Sequence, residues 1–234
     1  MNVMSGMASV FLVLYDQLAW AAVFILIGMV FDFFDGLAAR LLHVKSEMGK
    51  ELDSLADMLT FGVAPALLAH MLLRAVLFGD MGGEITGLAL YQQILLFSPL
   101  IIPAFSAYRL AKFNLDVRQT MSFIGMPTPA NALFWVGLVL AYYRAPEVFS
   151  YFFGNVWVLV VCVIILSVLL ICELPMFSLK LTNFSWKDNK QRYCFLGIVI
   201  VGFAIWNMAA VPFIIPLYIL FSVIGALQAT MQDR

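Results

Sequence analysis

The 234 residues are 64% hydrophobic and only 12% charged, against roughly 45–50% and 25% in soluble domains. A soluble core of this size cannot absorb so much apolar sequence, which indicates an integral membrane protein. The net charge of −1 gives no sign of a nucleic-acid partner.

Apolar segments run over 3–15, 18–42, 52–78, 86–108, 130–143, 151–172, 193–207 and 211–228. A spanning helix needs about 20 residues, so the first and seventh are short. The run from Tyr193 to Gln228 is too long for one span, and Asn207, Pro212 and Pro216 offer a turn, which predicts a helical hairpin. The expected fold is all-α, a polytopic transmembrane helical bundle of about eight crossings (six to eight), with residues 1–234 forming a single domain. No basic region or small-residue cleavage site marks a signal peptide. Phe78–Glu84 reads as a glycine-rich outer loop and Ser178–Arg192 as a cytoplasmic one. With eight crossings and a cytoplasmic N-terminus, Arg40, Lys45, Lys50, Arg109, Lys112, Arg118, Lys180, Lys187, Lys190, Arg192 and Arg234 face one side, and only Arg74 and Arg144 the other. The first side is therefore cytoplasmic.

The second segment ends FDFFDGLAARLL, with Asp32 and Asp35 three apart; the third opens GKELDSLADMLTFGVAP, with Gly49, Asp53 and Asp57 each four apart. Residues at these spacings share a helix face. Carboxylates at membrane depth are costly and mark function by default. Four of them brought together cannot all stay charged without cations, and hard divalent ions prefer such oxygen donors. Gly36 and Ala39, beside the acids, leave room for a bulky ligand against the backbone. Arg40 follows one turn later, suited to hold a phosphate bidentately. Ion pairing of the acids with Arg40, Lys45 and Lys50, or helix packing through the small residues, is the plainer alternative.

The run D-x-x-D-G-x-x-A-R, eight residues, then G-x-x-x-D-x-x-x-D resembles the signature of the CDP-alcohol phosphotransferase family, matched at Asp32, Asp35, Gly36, Ala39, Arg40, Gly49, Asp53 and Asp57. ELDSLADMLTFGVAPA, YRLAKFN (Tyr108–Asn114), GMPTPAN (Gly125–Asn131) and PMFSLK (Pro175–Lys180) are similar to its serine-accepting branch. The resemblance implies transfer of the phosphatidyl group of CDP-diacylglycerol to L-serine, giving phosphatidylserine and CMP. It also implies Mg²⁺ or Mn²⁺, two ions per site, and a homodimer in the cell membrane with a cytoplasmic active site. It assigns Asp32, Asp35, Asp53 and Asp57 as metal ligands, Asp57 also as the catalytic base. Asp32, Gly36, Ala39 and Arg40 then bind CDP-diacylglycerol. Family members carry a polar lead before an Asn-x-x-x-G pattern, which Asn2 and Gly6 match, so the chain is expected to begin late.

Serine brings a carboxylate and an ammonium, so its pocket needs a cation; Arg109 and Lys112, three apart at the end of the fourth segment, are the candidates for that carboxylate or the lipid phosphate. Snorkelling anchors are their plainer reading. Thr128 and Asn131 head the fifth helix, which Pro127 and Pro129 open. His43 and His70 lack partners at triad or ligand spacing, Glu47 and Glu51 read as solvated charges, and Cys162, Cys172 and Cys194 as small buried hydrophobes. Two alternatives stay open: the same chemistry with glycerol 3-phosphate or inositol as acceptor, and a cation transporter. The absence of repeated halves and the membrane-edge position of the acids count against the transporter.

Overall fold

The computed structural model describes residues 1–42, 46–79, 85–115, 123–176 and 186–232. Nearly all of them are helical. α1 (Asn2–Leu14) and α2 (Leu18–Leu41) form an antiparallel hairpin, turned at Asp16 with φ +57° and stitched by Ser9 Oγ donating 2.9 Å to the Ala21 carbonyl. α3 (Glu47–Asp57) is capped by the Ser46 hydroxyl, which accepts from Gly49 N at 2.9 Å. It continues through a π-helical stretch (Met58–Val63) into α4 (Ala64–Phe78). α5 (Leu90–Phe97) passes through a 3₁₀ turn at Ser98–Leu100 into α6 (Ile101–Leu115).

α7 (Thr128–Arg144) starts at Pro127 with Pro129 in its first turn, where a missing N–H costs nothing. It packs against α2, α4, α8, α9 and α11, and Trp135 and Phe134 on it are among the most buried large side chains. α8 (Pro146–Phe153) and α9 (Val156–Ile171) meet at 78°. A two-residue strand pair, β1 (Phe123–Ile124) antiparallel to β2 (Pro175–Met176), ties the chain before α7 to the end of α9. Gly125, at φ +77°, leaves no room for a Cβ, which would lie 2.8 Å from the Cys172 carbonyl oxygen.

α10 (Trp186–Trp206) and α11 (Val211–Gln232) are joined by a 3₁₀ turn at Asn207–Ala210, Asn207 taking φ +52°. The Gln191 side chain donates to the Phe221 carbonyl, and the Phe195 ring lies 6.1 and 5.9 Å from those of Tyr218 and Phe221. Residues thirty positions apart on a straight helix would be about 45 Å apart, so the run folds back as the expected hairpin.

By length and apolarity, four helical runs among the described residues can cross a membrane: Leu18–Ala39, Glu47–Phe78, Leu90–Leu115 and Asn189–Leu227. Counting the bent α8–α9 pair makes five, fewer than the eight crossings read from hydropathy. The difference lies in short helices: α1 has 13 residues and α7 has 17, below the roughly 20 of an upright span. The folded-back α10–α11 run, Asn189–Leu227, is one of the four although it turns back on itself. The loop expected over Ser178–Arg192 ends early, since α10 is already helical from Trp186.

Candidate functional site

The ends of α1, α2, α3, α6 and α7 gather at one end of the bundle. Asp32 on α2 and Asp53 and Asp57 on α3 each place a carboxylate oxygen within 4.8 Å of the others. The four-residue spacing on α3 turns Asp53 and Asp57 to one side, and α2 supplies Asp32 across from them. The Asp32 and Asp57 carboxyls are within hydrogen-bonding reach of one another. Asp57 Oδ1 also accepts from Asn2 Nδ2 at 3.0 Å. Asp57 is the last residue of α3, immediately before the π-helical stretch, and such stretches occur often at functional sites.

Asp35 stands outside this group. It is exposed, 4.0 Å from the Met1 amino group, and close enough to Asp32 and Asp53 for its charge to act on both. Gly36 and Ala39 follow on the last turns of α2, Gly36 half-buried and Ala39 exposed. The Arg40 side chain and all of His43 and Lys45 lie outside the described residues. Gly49 serves the Ser46 cap, whose hydroxyl would lie 2.8 Å from a Cβ there.

The expected cations divide. Arg109 is buried (8% exposed), its guanidinium 5.5 Å from the Phe113 ring centroid and its Nη1 donating 3.4 Å to Thr128 Oγ1. Its Nε has no hydrogen-bond partner, and Arg109 forms no ion pair among the described residues, although the charge of Asp57 reaches it. A buried guanidinium without a counter-ion is expensive. Lys112 is held 3.1 Å from Glu173. Lys50 turns away from the acids: its Nζ donates 2.6 Å to the Asn114 carbonyl at the end of α6, while Asn114 Nδ2 donates 2.9 Å to Ser54 Oγ. Among the described residues no lysine or arginine side chain pairs with Asp32, Asp53 or Asp57. The ion-pair alternative therefore loses Lys50, and the donor set fits a hard divalent cation.

Thr128 and Asn131 are fully buried; Asn131 Oδ1 accepts from Trp135 Nε1 at 3.3 Å, and its Nδ2 has no partner among the described residues. His70 donates through Nδ1 to the Leu96 carbonyl at 3.0 Å and lies 5.5 Å from the Phe97 ring centroid, a link between α4 and α5. Glu51 is on α3, accepting 3.5 Å from Asn114. Sequence reasoning found no role for Asn2 or Thr60 at the site; the four-residue spacing of Asn2 and Gly6 was the available signal.

Residues 1–170 match the family model described as CDP-alcohol phosphatidyltransferase. The chain belongs to that family. It is 38% identical over 143 residues to the CDP-diacylglycerol–serine O-phosphatidyltransferase of Bacillus subtilis (strain 168), covering 60% of this chain and 72% of that protein. The enzyme of the same name from Helicobacter pylori (strain ATCC 700392 / 26695) is 29% identical over 226 residues, 95% of this chain and 86% of the relative. That from Saccharomyces cerevisiae is 36% identical over 124 residues, 49% and 39% of the two chains. In this family member the aspartate cluster is compatible with a metal site, and the apolar helices make it a membrane protein.

Proposed function

We propose that this chain transfers the phosphatidyl group of CDP-diacylglycerol to the hydroxyl of L-serine, giving phosphatidylserine and CMP. The observation that carries this reading is the meeting of three carboxylates from α2 and α3 near a buried Arg109 that has no ion pair among the described residues, at one end of an apolar bundle. The acids suit a cation-neutralised diphosphate, the guanidinium suits an anionic group on the acceptor, and the apolar helices suit two acyl chains. Serine as acceptor is supported by the names of the relatives.

Asp32, Asp35, Asp53 and Asp57 would hold Mg²⁺ or Mn²⁺, two ions per site, which when bound neutralise the diphosphate and stabilise departing CMP. Gly36 and Ala39 leave space for the cytidine, beside Asp32, and Arg40 holds the diphosphate. Asp57 takes the proton from the serine hydroxyl as its oxygen attacks the phosphorus bearing diacylglycerol. The bond from that phosphorus to the CMP oxygen breaks, and CMP leaves with the electron pair. Phosphoryl transfer of this kind depends on positioning and charge more than on covalent help. Arg109 receives the serine carboxylate, and Lys112 joins it by exchanging Glu173.

The protein works in the cell membrane as a homodimer, its chain passing eight times through it. The site faces the cytoplasm, because Lys50, Arg109 and Lys112 lie at its end while Arg74 and Arg144 lie toward the other. The test is an assay in detergent–lipid micelles with CDP-diacylglycerol, Mn²⁺ or Mg²⁺, and labelled serine, glycerol 3-phosphate or inositol. Labelled phosphatidylserine with CMP release is the expected result; transfer to another acceptor overturns the choice of serine, and no transfer overturns the reaction.

A further inference from the structure

The first residue of α1 bridges the junction between α3 and the π-helical stretch. Asn2 is buried (4% exposed); its amide Nδ2 donates to Asp57 Oδ1 at 3.0 Å, and its backbone carbonyl accepts from Thr60 Oγ1 at 3.2 Å. The contact is pressed tight from behind. A Cβ on Gly6 would fall 2.3 Å from Thr60 Oγ1, and one on Gly28 would fall 2.6 Å from Thr60 Cγ2 and 3.3 Å from Asn2 Oδ1. Only glycine at both positions lets α1 and α2 approach the stretch so closely.

A carboxylate turns freely about its last torsion, whose wells are broad. Tying one oxygen of Asp57 leaves the other for the centre of the cluster. Asparagine suits this task because it donates without bringing charge; an aspartate of the same shape would offer only oxygens to an oxygen. We infer that Asn2 is a positioning residue, which fixes the carboxylate of Asp57 in the orientation the reaction uses. This makes α1 part of the active site and rests on the role proposed for Asp57.

The experiment compares the wild type with Asn2→Asp, Asn2→Ala and Thr60→Val, the full chain in lipid micelles, by steady-state kinetics and by Mn²⁺ titration of metal-stripped protein. Asn2→Ala is expected to lower kcat about tenfold or more with the KM for CDP-diacylglycerol within about twofold, a loss confined to the transition state. Asn2→Asp, which keeps the shape, should do no better than Asn2→Ala. Thr60→Val should fall between Asn2→Ala and wild type. Asn2→Asp with near-wild-type kcat overturns the inference, since shape alone would then suffice. A KM for CDP-diacylglycerol that rises as far as kcat falls also overturns it. If neither Asn2 variant folds, Thr60→Val decides: lower kcat at constant KM supports the bridge, and unchanged kcat overturns it. A wild type that does not use serine defeats the proposed function alone. The titration then decides for Asn2, weaker Mn²⁺ binding in Asn2→Ala supporting it and unchanged binding overturning it.

Discussion

The two ends of the bundle use their buried groups in opposite ways. At the site end three carboxylates crowd together, and Asn2 Oδ1 and Arg109 Nε are buried without hydrogen-bond partners among the described residues. At the far end α8, α10 and α11 surround an apolar cavity of about 630 Å³, with Phe152, Trp206, Phe213 and Leu217 among its walls. Beside it, Phe153 packs edge-on against Phe134 at 6.2 Å and lies 6.0 Å from Phe213. Unsatisfied buried polar atoms each cost on the order of 1–3 kcal/mol, so a fold keeps them where a ligand completes them. An apolar hollow beside lipid carries no such requirement. At the site end incomplete polar groups stand beside the clustered acids, whereas the far-end cavity is lined by apolar side chains.

The contrast breaks if site-end changes fail to act on turnover. The largest effect expected is from metal removal: EDTA should abolish transfer and added Mn²⁺ or Mg²⁺ should restore it, measured as CMP release. Activity in metal-free protein would remove the reason for the acid cluster. Asp57→Asn should follow, lowering kcat by about 10²–10⁴, the range for a positioned general base. Arg109→Ala should come next. A hydrogen bond to a charged group is worth about 1.5–3 kcal/mol, so the KM for serine should rise on the order of tens of fold with little change for CDP-diacylglycerol. Arg109→Lys should recover only part of it, because an ammonium lacks the planar fork. Equal effects on both substrates would deny Arg109 a place at the acceptor.

The acid cluster was legible because helical spacing is a local property. Asp53 and Asp57, four apart, share a face whatever the rest of the chain does. The same rule explains why Asp35 stands off: three residues turn a helix by about 300°, so it sits some 60° from Asp32, enough for one acid to be half-buried and the other exposed. The hairpin at Asn207 was readable from its apolar length. Contacts between distant residues were not: Asn2 meets Asp57 across 55 positions and Lys112 meets Glu173 across 61. Nothing local separates a lysine that will find a glutamate from one that will hold a substrate. Hydropathy and helix length count the crossings differently for a related reason. Hydropathy registers apolar runs, whereas spanning depends on where helices stop, as at the 78° bend between α8 and α9.

The smallest kinetic effect should come from the far end, and it sharpens the comparison most. Phe153 is buried among Phe134, Phe149 and Phe213. Phe153→Ala should cost on the order of 3 kcal/mol of stability, the loss for a phenylalanine truncated in a packed core. That would be seen as a lower thermal midpoint in micelles. Phe153 meets α7 at Phe134, six residues and about 9 Å along the helix from Thr128, and touches neither Arg109 nor Thr128, so the folded variant should keep the wild-type KM for serine and for CDP-diacylglycerol. A changed serine KM would mean that α7, which runs from this aromatic cluster to the Arg109–Thr128 contact, transmits packing to the acceptor pocket. The two ends would then be one mechanical unit, and a cavity that looks inert would bear on the chemistry after all.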